Sequence, residues 1–294
     1  MPHVPIPVLH GGSYPHGPLH SAWSFDPSVV LGVFGLIAAY IAWTGPLNRR
    51  RPGIEGRPVS AGQTTAFVAG SLALLLALSP PLDDWADSYL LSVHMFQHLI
   101  LLIVVAPLWL IGTPGWVLRP LTTRPTTDAI GRAVTRPVPA FVISNAIIVI
   151  WHMPSTFDAA LNAEPVHVVQ HLCFLAAGVL MWWPVLSPLP EWPRLAPLLQ
   201  CLYLFLQTIP SGAIGAFITL ASPGVYDAYV GAPRLWGISL DVDQQIAGVM
   251  MWVIENAIYL SIITIIFFKW AGREEQAARG EDPNAAKRLS TAHQ

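Results

Sequence analysis

Ten histidines are the residues of this chain best suited to chemistry, and five of them are spaced as a site would need. His94 and His98 are four residues apart, and so are His167 and His171. On a helix that spacing puts two imidazoles on one face, one turn apart. Such a pair can point at one metal ion or at two neighbouring ones. The fifth, His152, ends an apolar stretch just before Pro154. Neutral imidazole suits zinc, copper, iron and nickel alike, so residue type alone leaves the metal open. Met95 and Met153 directly follow two of these histidines, and Met250 and Met251 lie farther along. Thioethers that reach a site favour copper(I), although methionine in an apolar helix is more often packing material.

The elements that must position these rings are membrane helices. Hydrophobic residues make up 53% of the 294, and charged residues only 11%, against about 25% in soluble proteins. So few charges cannot cover a water-facing surface. Seven stretches approach or exceed the roughly 20 apolar residues a span needs: 28–46, 62–80, 88–112, 136–152, 165–186, 196–221 and 242–269. Backbone amides in lipid must pair internally, so each stretch is predicted to be a helix. Pro107 should kink the third without ending it. The fold class is therefore all-α: a polytopic membrane protein of seven transmembrane helices. Its segments are an outer N-terminal region over 1–27, a membrane domain over 28–270 and a polar tail over 271–294.

Basic residues set the orientation. Arg49, Arg50, Arg51, Arg57, Arg119, Arg124, Arg132, Arg136, Arg194, Lys269, Arg273, Arg279, Lys287 and Arg288 fall on one side, and only Arg234 on the other. The N-terminus is then outside and the C-terminus in the cytoplasm. Asp83, Asp84 and Asp87 fall on the outer side, in agreement. Trp23, Trp85, Trp151 and Trp236 would form an outer aromatic belt, and Trp43, Trp183, Trp192 and Trp270 an inner one. Nothing basic precedes the first stretch, so no cleavable signal peptide is expected. A net charge of −2 excludes nucleic-acid binding through bulk positive charge. Two cysteines, Cys173 and Cys201, cannot make a disulfide framework or a thiolate zinc site by themselves.

With that topology, His94, His98, His152, His167 and His171 converge at one depth below the outer surface. A lone intramembrane histidine usually bonds between helices, but two pairs and a fifth ring at one level favour a metal or haem site. His94, His98 and His171 are the firmest ligand candidates; His152 serves as a further ligand, a cap or a gate. The third and fifth stretches open on similar six-residue runs, His94-Met-Phe-Gln-His-Leu and His167-Val-Val-Gln-His-Leu, and the seventh on Asp241-Val-Asp-Gln-Gln-Ile. In that frame Gln97, Gln170, Asp241, Asp243, Gln244 and Gln245 are candidates to orient imidazoles, attract the cation or gate the site. Met95, Met153 and Cys173 are the soft-ligand candidates, while Cys201 lies too deep. His3, His10, His16 and His20 could collect metal outside, or belong to an unstructured leader. Asn145, Glu255 and Asn256 must find partners inside the bundle, holding helices in register or forming a polar path.

The chain resembles the CtaG-type cytochrome c oxidase assembly proteins of bacterial membranes. The resemblance rests on the two histidine runs, Ile111-Gly-Thr-Pro-Gly, Trp151-His-Met-Pro, Trp182, Tyr226-Asp-Ala-Tyr and Asp243-Gln-Gln-Ile-Ala-Gly-Val-Met-Met-Trp, over about residues 30–268. It implies a factor that matures a haem–copper oxidase, with copper as the metal handled. Its partner would be an oxidase subunit or another copper-handling protein, and its location the bacterial cytoplasmic membrane as a multi-pass protein. The family histidines map onto His94, His98, His152, His167 and His171, and its acidic–amide motif onto Asp243, Gln244 and Gln245. One departure is Gln170, where the family often carries Glu. An unrelated single-span copper chaperone shares the CtaG name, but its cysteine motif is missing here.

The expected function is thus a copper-binding assembly factor rather than an enzyme, with the lipid bilayer as its medium. Two rivals compete. An intramembrane zinc-dependent hydrolase would use three histidines and an activated water, with Asp83, Asp84 or Asp87 assisting proton transfer. A bis-histidine haem protein would clamp haem between the third and fifth helices.

Overall fold

The computed structural model describes residues 26–45 and 59–279, and among them every regular element is helical. The expectations for His3, His10, His16, His20, Trp23, Arg49, Arg50, Arg51, Arg57, Lys287 and Arg288 lie outside the described residues.

Five helices are long and apolar enough to cross a membrane: Pro27–Thr44, Leu91–Gly112, Glu164–Leu186, Pro197–Leu220 and Leu240–Ala278. Two further candidates are bent pairs of helices. Ala61–Ala77 and Leu82–Ser88 meet at 47°, and Pro125–Val134 and Pro137–His152 at 77°. The count is therefore five, or up to seven if each bent pair is one span. We name the elements that follow α1 (Pro27–Thr44), α2 (Ala61–Ala77), α3 (Leu82–Ser88), α4 (Leu91–Leu99), α5 (Ala106–Gly112), α6 (Gly115–Thr122), α7 (Pro125–Val134), α8 (Pro137–His152), α9 (Pro154–Leu161), α10 (Glu164–Leu186), α11 (Pro197–Leu220), α12 (Leu240–Val249) and α13 (Glu255–Ala278).

Local chemistry explains several boundaries. Ser60 and Gln63 form a reciprocal capping box at the start of α2. Pro80 and Pro81 end that helix, because neither can donate the next backbone bond; α3 then leaves at an angle. The apolar stretch expected over 62–80 thus stops at Ala77, and Asp83, Asp84 and Asp87 ride on a separate short helix.

The expected kink at Pro107 takes a different form. The backbone from Ile100 to Val105 is a π-helix joining α4 to α5. In that register Ala106 N donates to the Leu101 carbonyl, so residue 107 would serve Leu102. Proline has no proton to give. The Trp182 indole fills the gap, its Nε1–H donating to the Leu102 carbonyl at 2.9 Å. A widened turn lets the chain pass proline without leaving a buried carbonyl unpaired.

Packing places α10 against this same segment. A Cβ at Gly178 would stand 2.8 Å from Ala106 Cβ and 3.3 Å from the Leu102 backbone. Only glycine permits that approach, which is the usual way membrane helices come close without a hydrophobic drive between them. Apolar side chains such as Leu199, Leu202, Phe205 and Ile209 on α11 point outward and exposed, as expected for a face in contact with lipid.

The two ends of the bundle differ. At one end Arg132 Nε pairs with Asp128 at 2.8 Å and its Nη1 bonds the Glu191 carbonyl, while Trp192 Nε1 also donates to Asp128 at 2.9 Å. Gly131 lies under the Trp192 ring, which leaves no room for a Cβ. At the other end Tyr226 and Tyr229 donate to the carbonyls of His152 and Ala86, at 2.9 and 2.6 Å. Asp158 of α9 accepts the N–H groups of Asp227 and Ala228. Those contacts tie the 221–239 loop over the histidines.

Between the ends lies a polar clamp. Glu255 accepts from Ser211 Oγ at 2.6 Å and from Tyr259 Oη at 3.0 Å. Asn145 donates to Gln207 at 2.7 Å, Gln207 to Tyr203 at 3.0 Å, and Tyr203 to the Met181 carbonyl at 2.9 Å. Asn145 and Glu255 therefore find the partners that burial in a bundle demands; Asn256 keeps an unpaired Oδ1.

Candidate metal centre

The five histidines come from three elements and meet. His94 and His98 lie on α4, His167 and His171 on the first two turns of α10, and His152 ends α8. All five are buried. Ring centroids are 4.3 Å apart for His94–His98, 4.2 Å for His167–His171, 5.5 Å for His94–His167, 5.9 Å for His98–His171 and 5.6 Å for His98–His152.

Two sets have ligand atoms mutually within 4.8 Å: His94, His98 and His171, and separately Asp87, His94 and His167. The first is the trio favoured by spacing. The second contains a residue that spacing did not offer as a ligand, because Asp87 reaches the pocket from α3, across the proline break.

Hydrogen bonding separates the rings. His152 Nδ1 lies 2.8 Å from the Ile148 carbonyl one turn back. A carbonyl can only accept, so Nδ1 holds the proton and Nε2 carries a lone pair. That Nε2 is buried and has no hydrogen-bond partner, and the same is true of both nitrogens of His94, both of His98, and Nε2 of His171. Buried polar groups are almost always paired, and a metal ion is the partner that suits a cluster of imidazole lone pairs. Phe174 packs on His98 and Phe157 on His94, at 4.2 and 4.9 Å between centroids, so the wall beside those two rings is apolar.

The roof is polar but uncharged where it donates. Burial pushes the Tyr226 and Tyr229 hydroxyls above their ordinary range, so both stay protonated to bond their carbonyls. Burial raises the Asp158 carboxyl too, opposed by the two backbone N–H groups it accepts.

The remaining candidates are placed as follows. Gln97 donates to the Ala77 carbonyl and to Asp83 at 2.8 and 2.7 Å, so it ties the histidine helix to the acidic one. Gln170 is fully buried, and neither amide atom has a hydrogen-bond partner. Met95 is 0% exposed within the core, Met153 is 51% exposed, and Cys173 belongs to neither ligand set.

The acidic–amide motif differs from expectation. Asp241 and Gln245, which align with the histidines in the six-residue frame, are exposed and bond each other at 3.1 Å. Asp243 and Gln244 face inward instead, but neither bonds an imidazole. Asp243 accepts from Leu91 N, Ser92 N and Ser92 Oγ. Gln244 accepts from Gly224 and Val225 N–H and donates to the Ile218, Ala221 and Ser222 carbonyls. A two-residue offset on a helix is about 200° of rotation, enough to turn the apparent third copy of the pattern away from the pocket. The motif seats the start of α4 and closes the end of α11.

Residues 38–273 match a family model described as cytochrome c oxidase caa3 assembly factor. The chain is also 24% identical over 282 residues to an uncharacterized protein of Mycobacterium leprae. It is likewise 24% identical over 289 residues to uncharacterized proteins of Mycobacterium bovis and Mycobacterium tuberculosis. Each alignment takes in 90% of this chain but only 42% of the relative, so the chain spans less than half the length of these curated relatives. No solved structure matches it significantly.

Proposed function

Since the chain belongs to the cytochrome c oxidase caa3 assembly factor family, we propose that it binds copper in the histidine pocket for delivery to a maturing haem–copper oxidase. Copper here is cargo. His94, His98 and His171 hold it, His152 offers a further lone pair, and an oxidase subunit or another copper-handling protein takes it by ligand exchange. The observation that carries this reading is the set of buried imidazole nitrogens without hydrogen-bond partners, contributed by α4, α8 and α10.

The reading includes a topology. Seven crossings, with α2 and α8 added to the five long helices, put the histidine pocket and Arg234 at the outer end. Arg119, Arg124, Arg132, Arg136, Arg194, Lys269, Arg273 and Arg279 then lie at the cytoplasmic end of a bacterial plasma-membrane protein. No observation favours the zinc hydrolase or the haem protein. Methionine does not carry the choice of copper either: Met153 is exposed, and Met181 Sδ lies 3.3 Å from the Tyr259 hydroxyl deep in the bundle. Family membership supports copper.

The test is complementation in the native host. A strain lacking the gene should show reduced oxidase copper and activity, restored by wild type. A His94→Ala/His98→Ala/His171→Ala variant present in the membrane at wild-type abundance should not restore them. Full restoration by that variant would refute the proposal.

A further inference from the structure

We propose that Asp87, His94 and His167 form a second metal-binding station, nearer the loops than the His94/His98/His171 station and sharing His94 with it. This rests on reading the pocket as a metal site, and adds to it a carboxylate ligand and a direction of travel.

The geometry carries the proposal. Asp87 is buried, and its two oxygens face two different rings: Oδ1 lies 3.7 Å from His94 Nδ1, and Oδ2 lies 3.4 Å from His167 Nδ1. Metal–nitrogen and metal–oxygen bonds near 2.0–2.2 Å in a tetrahedral site put neighbouring ligand atoms about 3.4 Å apart. The observed spacings are close to that value, and one ligand atom from each of the three residues lies within 4.8 Å of the other two. His94 supplies an independent sign of a missing partner, since neither of its nitrogens has a hydrogen bond although the residue is fully buried.

Position gives the order. His94 and His167 lie on the first turns of α4 and α10, with Asp87 on the short helix before α4. His98 and His171 come one turn later on each helix. An ion entering from the loops meets Asp83, Asp84 and Asp87 on one short acidic helix, then the mixed carboxylate–imidazole station, then the all-imidazole one. Carboxylate with two imidazoles suits a divalent ion, copper(II) or zinc(II); three imidazoles without a carboxylate also accept copper(I). A neutral imidazole presents one lone pair, so His94 serves one station at a time. Passage inward then exchanges Asp87 and His167 for His98 and His171, with His94 common to both sets.

The experiment uses full-length protein in detergent, loaded with copper(II) and followed by elemental analysis and electron paramagnetic resonance. The His98→Ala/His171→Ala variant should keep one copper(II) with two-nitrogen coupling, and adding Asp87→Asn should weaken its binding at least tenfold. Asp87→Asn/His167→Ala, with the deeper trio intact, should still bind copper and show more than two coupled nitrogens. Absence of copper from His98→Ala/His171→Ala, with wild type loading normally, would overturn the second station and leave the first standing. A copper(II) affinity in that background unchanged by adding Asp87→Asn would also overturn it, reducing Asp87 to an orienting role. Wild type that binds no copper would instead refute the underlying reading of the pocket.

Discussion

Asp243 caps the histidine helix through Ser92: its Oδ1 accepts from Ser92 Oγ at 2.5 Å and from Ser92 N at 3.0 Å, while Oδ2 takes Leu91 N at 2.8 Å. The first N–H groups of a helix have no partner within it, and a carboxylate is the strongest acceptor for them. Asp243 thereby fixes the turn that carries His94 from a helix more than 150 residues away in the chain. Replacing it with alanine should cost about 2–3 kcal/mol, read as a lower midpoint of thermal unfolding in detergent. It should also weaken copper binding without removing a ligand. The Asp243→Asn substitution, which keeps one accepting oxygen, should cost about half as much. An Asp243→Ala protein with unchanged unfolding would deny the capping role.

Trp182 and Pro107 make a coupled prediction. Trp182→Phe strands the Leu102 carbonyl and should destabilise by about 1–2 kcal/mol. Pro107→Ala supplies an N–H that can reach that carbonyl in the π register, so the double variant should be less damaged than the sum of the singles. A double-mutant cycle measures this directly. Strict additivity would contradict the account of the π segment.

Much of this was legible before any coordinates. The paired histidines declared their helices and shared faces, because i and i+4 are geometrically adjacent whatever surrounds them. Gly178 and the Trp182 bond were not, since both answer to a neighbouring helix. Asp87 escaped notice as a ligand because the apolar pattern runs into Pro80 and Pro81 without announcing a turn of 47°. Asp241 misled for the opposite reason: it sits in the right sequence frame, but packing rotates Asp243 and Gln244 inward. Asn145 and Glu255 were legible as residues that need partners inside the bundle; Gln207 and Ser211, which supply those partners from α11, were not.

That clamp yields its own expectation. Glu255→Gln preserves an acceptor for Ser211 and Tyr259 and should leave stability nearly unchanged. Glu255→Leu removes two interhelical or same-helix bonds, each worth about 0.6–1.7 kcal/mol in a membrane bundle. Unfolding in detergent distinguishes the two, and equal losses would show that charge, rather than bonding, is what Glu255 contributes.

The basic end should respond to acid. Asp128 sits on α7, ahead of the apolar stretch that begins at residue 136. Hydrogen bonds from Arg132, then Trp192, hold its carboxyl below the ordinary value. A depressed folded-state value contributes stability that is present above the unfolded value, near 4, and is lost as pH falls through the folded one. Thermal midpoints measured from pH 5 down to pH 3 should fall more steeply for wild type than for Asp128→Asn. Parallel curves would show that the Asp128 contacts add nothing to stability.

In the proposed function the pocket holds metal through imidazoles on separate helices. Elemental analysis of protein purified from its own host, beside the His94→Ala/His98→Ala/His171→Ala variant, tests it most directly. Bound copper in the wild-type protein, absent from a variant that remains folded, is the predicted result; equal copper in both, or none in the wild type, contradicts it.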